Sequence, residues 1–292
     1  MSYTNSNRHI FLIKILALFS LVRWYNILLL SLGLFLSSVF MLNGEDKYSV
    51  IIDYKLYLNL ISISLLTMAG YIINAFYDFE KDMINHPRTT IFSKIISKRT
   101  CINTYIVLVL LGILLTLFID MKVFLFNFGF SFLLWFYSHK LRKKPLTAEL
   151  SAALLTITPF ASVSLYYMET NSTILLFVGY VFSITFTREV IKKMVSLKGD
   201  LIVGEKSIPI IFGIRNTKYI ILSLMIASLI PIAIILPKIL HQNISYYFML
   251  SIIMIGISLF LLKNAQTPTR FNFINNIYKI ILVLAIFSIV LY

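Results

Sequence analysis

With a single cysteine in 292 residues, Cys101 has no partner for an internal disulfide, which excludes a disulfide-stapled secreted scaffold. Four scattered histidines make no Cys/His cluster of zinc-ligand spacing. Charge is scarce too. Asp, Glu, Lys and Arg form 13% of the chain, against about 25% in a soluble domain, which argues against one water-soluble globule. Ten glycines and seven prolines leave no collagen-like repeat and no Pro/Gly-rich linker. What the chain has in abundance is apolar surface: 59% of residues are hydrophobic and the mean hydropathy is +0.88.

Each membrane-crossing helix needs about 20 apolar residues, and nine runs qualify: 15–41, 57–77, 104–119, 122–137, 147–167, 173–192, 218–236, 245–262 and 275–291. Backbone groups in hydrocarbon must be satisfied within the segment, so spans of this length rich in Leu, Ile and Phe are expected to be helices, not barrel strands. The expected fold class is all-α, a polytopic nine-helix membrane bundle forming one domain over 1–292. The polar start carries Arg8, and the apolar run after Lys14 exceeds a signal-peptide core and lacks a small-residue cleavage pattern, so it reads as a retained first span.

A formal charge of +14 raises the question of nucleic acid, and the distribution of that charge answers it. With the N-terminus cytoplasmic, the inner segments 1–23, 78–102, 139–149, 188–218 and 263–279 hold 22 of the 26 Lys and Arg, leaving Lys47, Lys55, Lys122 and Lys238 outside. This is the positive-inside asymmetry of a membrane protein. An integral protein of a bacterial or archaeal cell membrane is expected, in contact with membrane lipids and not nucleic acid, with its functional loops on the cytoplasmic side.

At the end of the second span Asn74, Asp78 and Asp82 recur every four residues. On a helix each such step drifts by only about 40°, so one amide and two carboxylates share a face about 6 Å apart along the axis. Ionisable groups at the mouth of a membrane helix are functional candidates, and this oxygen-rich stripe suits a divalent cation, Mg²⁺ best if phosphate oxygens complete its shell. Glu80 lies off the stripe. The simpler reading is that the acids are solvated and paired with Lys81 or Arg88. After the sixth span Arg188, Lys192, Ser196 and Asp200 repeat the same rhythm. If the helix runs that far, a cationic stripe faces the anionic one, and the two can meet around a metal-bound diphosphate. The simpler reading here is a topogenic anchor with a Glu189–Lys193 pair.

Asn74-x₃-Asp78-x₃-Asp82 resembles the first aspartate-rich motif of the UbiA family of membrane prenyltransferases. Further landmarks lie in family order: Arg23-x-x-Asn26, Tyr137-Ser138 with Lys140 and Leu141, Arg188-Glu189 with Lys192, Gly199-Asp200, and Ser207-x-Pro209 before Gly213. The Arg-Glu-x-x-Lys opening of the second motif looks most like the branch that adds geranylgeranyl to a geranylgeranylglyceryl phosphate. The resemblance implies transfer of a polyprenyl group from a prenyl diphosphate to a hydrophobic acceptor, a lipid, quinone precursor or other. It implies Mg²⁺ held by Asp78, Asp82, Asn74 and Asp200, with Asp78, Asp82 and Lys192 carrying the reaction. Arg188, Lys193, Lys198, Arg23, Asn26 and Lys140 would join Asn74 in binding substrate. Tyr71, Phe76 and Tyr77 are near enough in sequence to face a developing allylic cation, and His86 and His139 flank the motifs as candidate proton carriers. Lys140, Arg142, Lys143 and Lys144 read equally well as donor contacts or as a topogenic cluster.

The departures are specific. Lys193, Ser196 and Lys198 stand where the family has acidic residues, Glu149 where asparagine is common, and Asn85-His86-Pro87-Arg88-Thr89 alters the segment after the first motif. Two outcomes follow. Lys192, Lys193 and Lys198 take over diphosphate charge from a lost second ion, leaving Asp78 and Asp82 one Mg²⁺. Otherwise the chain is a lipid-diphosphate binder, partner subunit or transporter without turnover. The discriminating feature is whether both stripes close one pocket on the inner side.

Overall fold

The structure, a computed structural model, describes residues 16–42, 47–85, 96–204 and 206–292, the side chains of 80–85 and 203 excepted. The described secondary structure is helical: α1 (Trp24–Ser37), prolonged by a π-helical turn over Ser38–Leu42, α2 (Tyr54–Asn85), α3 (Lys98–Thr116), α4 (Met121–His139), α5 (Thr147–Tyr167), α6 (Ser172–Val195), a short α7 (Leu197–Val203), α8 (Ile208–Ala227), α9 (Leu229–Ile239), α10 (Ile244–Lys263) and α11 (Pro268–Ser288). Nine segments among the described residues are long and apolar enough to cross a membrane, and they fall on the nine expected runs, α8 and α9 together making the seventh. Helix starts follow local chemistry. Ser97, Asp120, Asn171 and Thr267 each accept a backbone N–H at an N-cap, and Pro268 opens α11, where its missing N–H costs nothing.

Two expected spans differ in detail. The first run, 15–41, breaks at Arg23, whose φ of 51° and ψ of 53° turn the chain through the left-handed region, so that α1 begins at Trp24. Hydropathy reads composition and is blind to that turn. The seventh starts earlier than 218: α8 begins at Ile208 and passes a non-helical Gly213 at φ 78°, ψ 161°, a conformation glycine adopts freely.

Packing runs α1–α2–α4–α5–α6–α11 and back to α1, a closed succession, with α3 against α2 and α8 and α9 against α6. The main apolar core gathers around α6 and α11, including Tyr180, Ile184, Ile274 and Ile281. Lipid chains are as apolar as leucine, so burial alone does not hold membrane helices together; close contacts and polar ties do. Deep in the first half, Asn127 donates to Asn59 (3.2 Å), Ser162 donates to the same oxygen (3.1 Å), and Ser62 donates to the Gly112 carbonyl (2.8 Å), joining α2, α3, α4 and α5. In the second half Tyr180 bonds Tyr247 (2.9 Å) and Ser251, and Tyr247 donates to the Ile281 carbonyl (3.2 Å).

The α2–α3 crossing depends on Gly112. A Cβ there would lie 2.9 Å from Leu66 Cγ and Cδ2 and 3.3 Å from the Ser62 carbonyl oxygen. Gly112→Val is expected to lower the unfolding midpoint by several degrees, in keeping with an overpacking cost of about 1–3 kcal/mol. Gly112→Ala should cost less, since Leu66 can rotate. Differential scanning fluorimetry in lipid nanodiscs checks this, and an unchanged midpoint for the valine variant would disprove the tight crossing.

Candidate functional site

The last turns of α2 put Tyr71, Asn74 and Asp78 on one stripe, at spacings of three and four residues. Asn74 Nδ2 donates to Asp78 Oδ2 (3.2 Å). Asp78 is met from the short 3₁₀ turn Leu141–Lys143 after α4: Arg142 Nη2 pairs with Asp78 Oδ1 while Arg142 Nη1 donates to Asn74 Oδ1 (3.2 Å); the expected partners Lys81 and Arg88 lie outside the described side chains and residues. The Asp78 and Arg142 side chains are only 11% and 10% exposed, so this contact lies within the bundle end and not on an open surface. The Asp82 carboxylate, with the Glu80 and Lys81 side chains, lies outside the described side chains; His86, Pro87, Arg88 and Thr89 lie outside the described residues.

The second cluster differs from the expected uninterrupted stripe. α6 ends at Val195, and Ser196, at φ −88° and ψ 4°, bends the chain into α7. Asp200 is thereby fully buried, where it accepts from Ser196 Oγ (3.3 Å), while Lys198 is exposed. Glu189 and Lys193, the expected pair, each engage another partner. Lys192 Nζ holds both Glu189 oxygens (2.9 and 2.8 Å), with Arg188 Nη1 4.0 Å away. Lys193, one position further round the helix, reaches instead toward α5, its Nζ 3.8 Å from Glu149 Oε1. Glu149 is 1% exposed, in the first turn of α5, where the helix dipole favours a carboxylate.

The two clusters meet at one end of the bundle. α7 packs against α2. Arg23 lies over the Tyr71 ring (5.4 Å to the centroid), and Asn26 donates to the Tyr71 hydroxyl (3.4 Å). Arg23, Asn26 and Tyr71 thus form a polar cluster one turn before Asn74, and the Arg188–Glu189–Lys192 group lies at the same end of the bundle, on α6 just before the bend into α7. Tyr71 is the candidate aromatic inside the first of these. Tyr77 is exposed and bonds His139 Nδ1 (3.2 Å), which stacks on Trp135, and Phe76 packs against Tyr77. Lys140, Lys143 and Lys144 are exposed. Arg142 is the site residue that sequence reasoning undervalued: among four basic residues in five positions, nothing in the pattern distinguishes it.

No group of three or more His, Cys, Asp and Glu side chains converges among the described residues. Of the expected metal ligands, Asp78, Asn74 and Asp200 have described side chains, and all three offer oxygen, as a hard cation requires. The Asp78–Asn74 pair already holds one cation, the Arg142 guanidinium.

Residues 47–277 match the UbiA prenyltransferase family. A digeranylgeranylglyceryl phosphate synthase of Sulfurisphaera tokodaii is 31% identical over 221 residues, 74% of this chain and 78% of that one. The fold superimposes on a solved structure concerning digeranylgeranylglyceryl phosphate synthase in membranes (TM-score 0.72, 22% identity, 95% of this chain and 97% of that one). It also superimposes on a UbiA homolog from Archaeoglobus fulgidus bound to GPP and Mg²⁺ (TM-score 0.67, 19% identity, 94% and 99%). Nine apolar helices, two polar motifs closing at one bundle end and a family match across most of the sequence agree: this chain belongs to the UbiA prenyltransferase family and is an integral membrane prenyltransferase.

Proposed function

We propose that the protein, working as a single transfer unit, moves a geranylgeranyl-class group from its diphosphate to the free hydroxyl of a glyceryl phosphate lipid, at the cytoplasmic face of the cell membrane. The observation that carries this reading is that α2, whose end bears Asn74 and Asp78, packs against α7, the helix that directly follows the Arg188–Lys192 group of α6, with Arg23 over Tyr71 one turn away. The acceptor class rests on what the similar synthases are named for, and the orientation on the basic loops.

Asp78, Asn74 and Asp82 would hold the Mg²⁺, with Asp200 contributing from α7; bound there, the ion supplies positive charge to the departing diphosphate. The chain does the rest. Arg188, Lys192 and Arg23 neutralise the remaining diphosphate charge, which makes scission of the C1–O bond feasible in a pocket screened from water. Tyr71 presents a ring face where C1 becomes positive. The acceptor hydroxyl oxygen then bonds to C1, its proton passes to the departed diphosphate or to water at the pocket mouth, and diphosphate is released. Glu189 holds Lys192 in place throughout.

The deciding experiment incubates protein in nanodiscs with labelled geranylgeranyl and farnesyl diphosphates, Mg²⁺ and a panel of glyceryl phosphate, quinone-precursor and haem acceptors. Ether formation with the glyceryl phosphate, accompanied by stoichiometric diphosphate, is expected. Tight donor binding with no release on any acceptor would overturn the catalytic reading.

A further inference from the structure

The contact between Arg142 and the first motif has a consequence for how the site fills. Arg142 engages two groups at once, Asp78 Oδ1 and Asn74 Oδ1, and Asn74 Nδ2 closes the triangle on Asp78 Oδ2. Those two oxygens are among those α2 offers to a hard cation at this level of the helix. A guanidinium bridging a carboxylate and its neighbouring amide, and a divalent ion on the same oxygens, repel one another and compete for the same lone pairs.

Where Arg142 sits also matters. Its neighbours Lys140, Lys143 and Lys144 are exposed, whereas Arg142 is largely buried against α2. It stands on a three-residue 3₁₀ turn between α4 and α5, at the very end of the fourth candidate span. A long side chain on such a turn can change its target by rotating its own torsions, leaving the spans in place. The same planar fork that grips a carboxylate matches a diphosphate.

We propose that Arg142 is a positioning residue that serves as the built-in counter-cation of the first motif. In the ligand-free protein it neutralises Asp78 and orients Asn74. When the divalent ion binds it must release both, and its guanidinium then turns to the diphosphate that arrives with the ion. The inference rests on the reading of Asp78 as a metal ligand given above. It adds an exchange: metal and arginine take turns on one carboxylate, so an empty site is kept neutral and a filled site gains a diphosphate contact.

The prediction is a pair of effects of opposite sign, which a merely structural tie between α2 and the α4–α5 turn would not produce. Full-length protein in nanodiscs is titrated with Mn²⁺, free ion being read by its electron paramagnetic resonance signal, first without any phosphate ligand. Arg142→Gln is expected to bind Mn²⁺ at least about tenfold more tightly than the native protein, and Arg142→Lys, which keeps the charge but loses the fork, about two- to fivefold more tightly. In a second arm, at saturating Mn²⁺, inorganic pyrophosphate is expected to bind about tenfold more weakly to Arg142→Gln. Unchanged or weaker Mn²⁺ binding in the folded glutamine variant, or in the lysine variant should the former not fold, would overturn the exchange. Pyrophosphate binding unaffected by the substitution would overturn the second half of it. Asp78→Asn separates the two readings: if Mn²⁺ binding survives that change in the native background, the assignment of Asp78 as a metal ligand has failed, whatever Arg142 does.

Discussion

Asp78→Asn should reduce kcat/KM for prenyl transfer by about a thousandfold or more, measured as labelled ether product per unit time at saturating Mg²⁺. Removing one preorganised electrostatic contact to a developing charge costs about 10²–10³ in rate, and Asp78 does more than make one contact. Its carboxylate is the described acid of the first motif with both a buried position and a direct polar neighbour on the same helix face. The asparagine variant keeps the shape and the tie to Asn74 but loses the charge that draws a cation to this end of α2. Loss of stability should be small, because Arg142 is carried on a short turn and can swing toward water once its counter-charge is gone. Lys238→Ala is the contrast: an exposed side chain in the last turn of α9, it should change kcat/KM by less than about twofold. Equal losses in both variants would mean that the effect is not specific to the buried carboxylate.

How much of this was legible in the sequence follows from which physical signals are local. Hydropathy is summed over about 20 residues, a length set by the bilayer, and so all nine spans emerged, but their polar ends did not: the third and ninth begin at Lys98 and Pro268, ahead of the expected 104 and 275, and Arg23 and Gly213 depart from helical dihedrals in the first and seventh. The Asn74–Asp78 stripe was legible because helical periodicity is a property of one segment. The stripe after α6 was only half legible: the bend at Ser196 buries Asp200 and turns Lys198 outward, and no run of side-chain types announces that bend. Pairings between segments were the least accessible. Lys192 and Lys193 are adjacent and chemically identical, yet a rotation of about 100° sends one to Glu189 on its own helix and the other to Glu149 on α5. Arg142 was hidden for the same reason, since its partners lie 64 and 68 positions away.

That assignment of Lys193 leads to the second large effect. Lys193→Met should destabilise the protein by about 3–5 kcal/mol, the usual cost of removing one member of a buried ion pair, because Glu149 would be left without its lysine at 1% exposure. Glu149→Gln alone leaves Lys193, which at 16% exposure has some access to water, and should cost less. The double variant Glu149→Gln, Lys193→Met removes both charges and should recover most of the loss, since a neutral amide in the first turn of α5 has no charge to desolvate. Thermal and denaturant unfolding of all four proteins in one lipid composition gives the coupling between the two positions. Activity separates this from the other role open to Lys193. As a partner of Glu149 it fixes α5 against α6, so the double variant should bind donor diphosphate within about threefold of the native protein. If stability is recovered while donor affinity falls tenfold or more, Lys193 grips the diphosphate directly, and the cationic wall of the site extends one residue beyond Lys192.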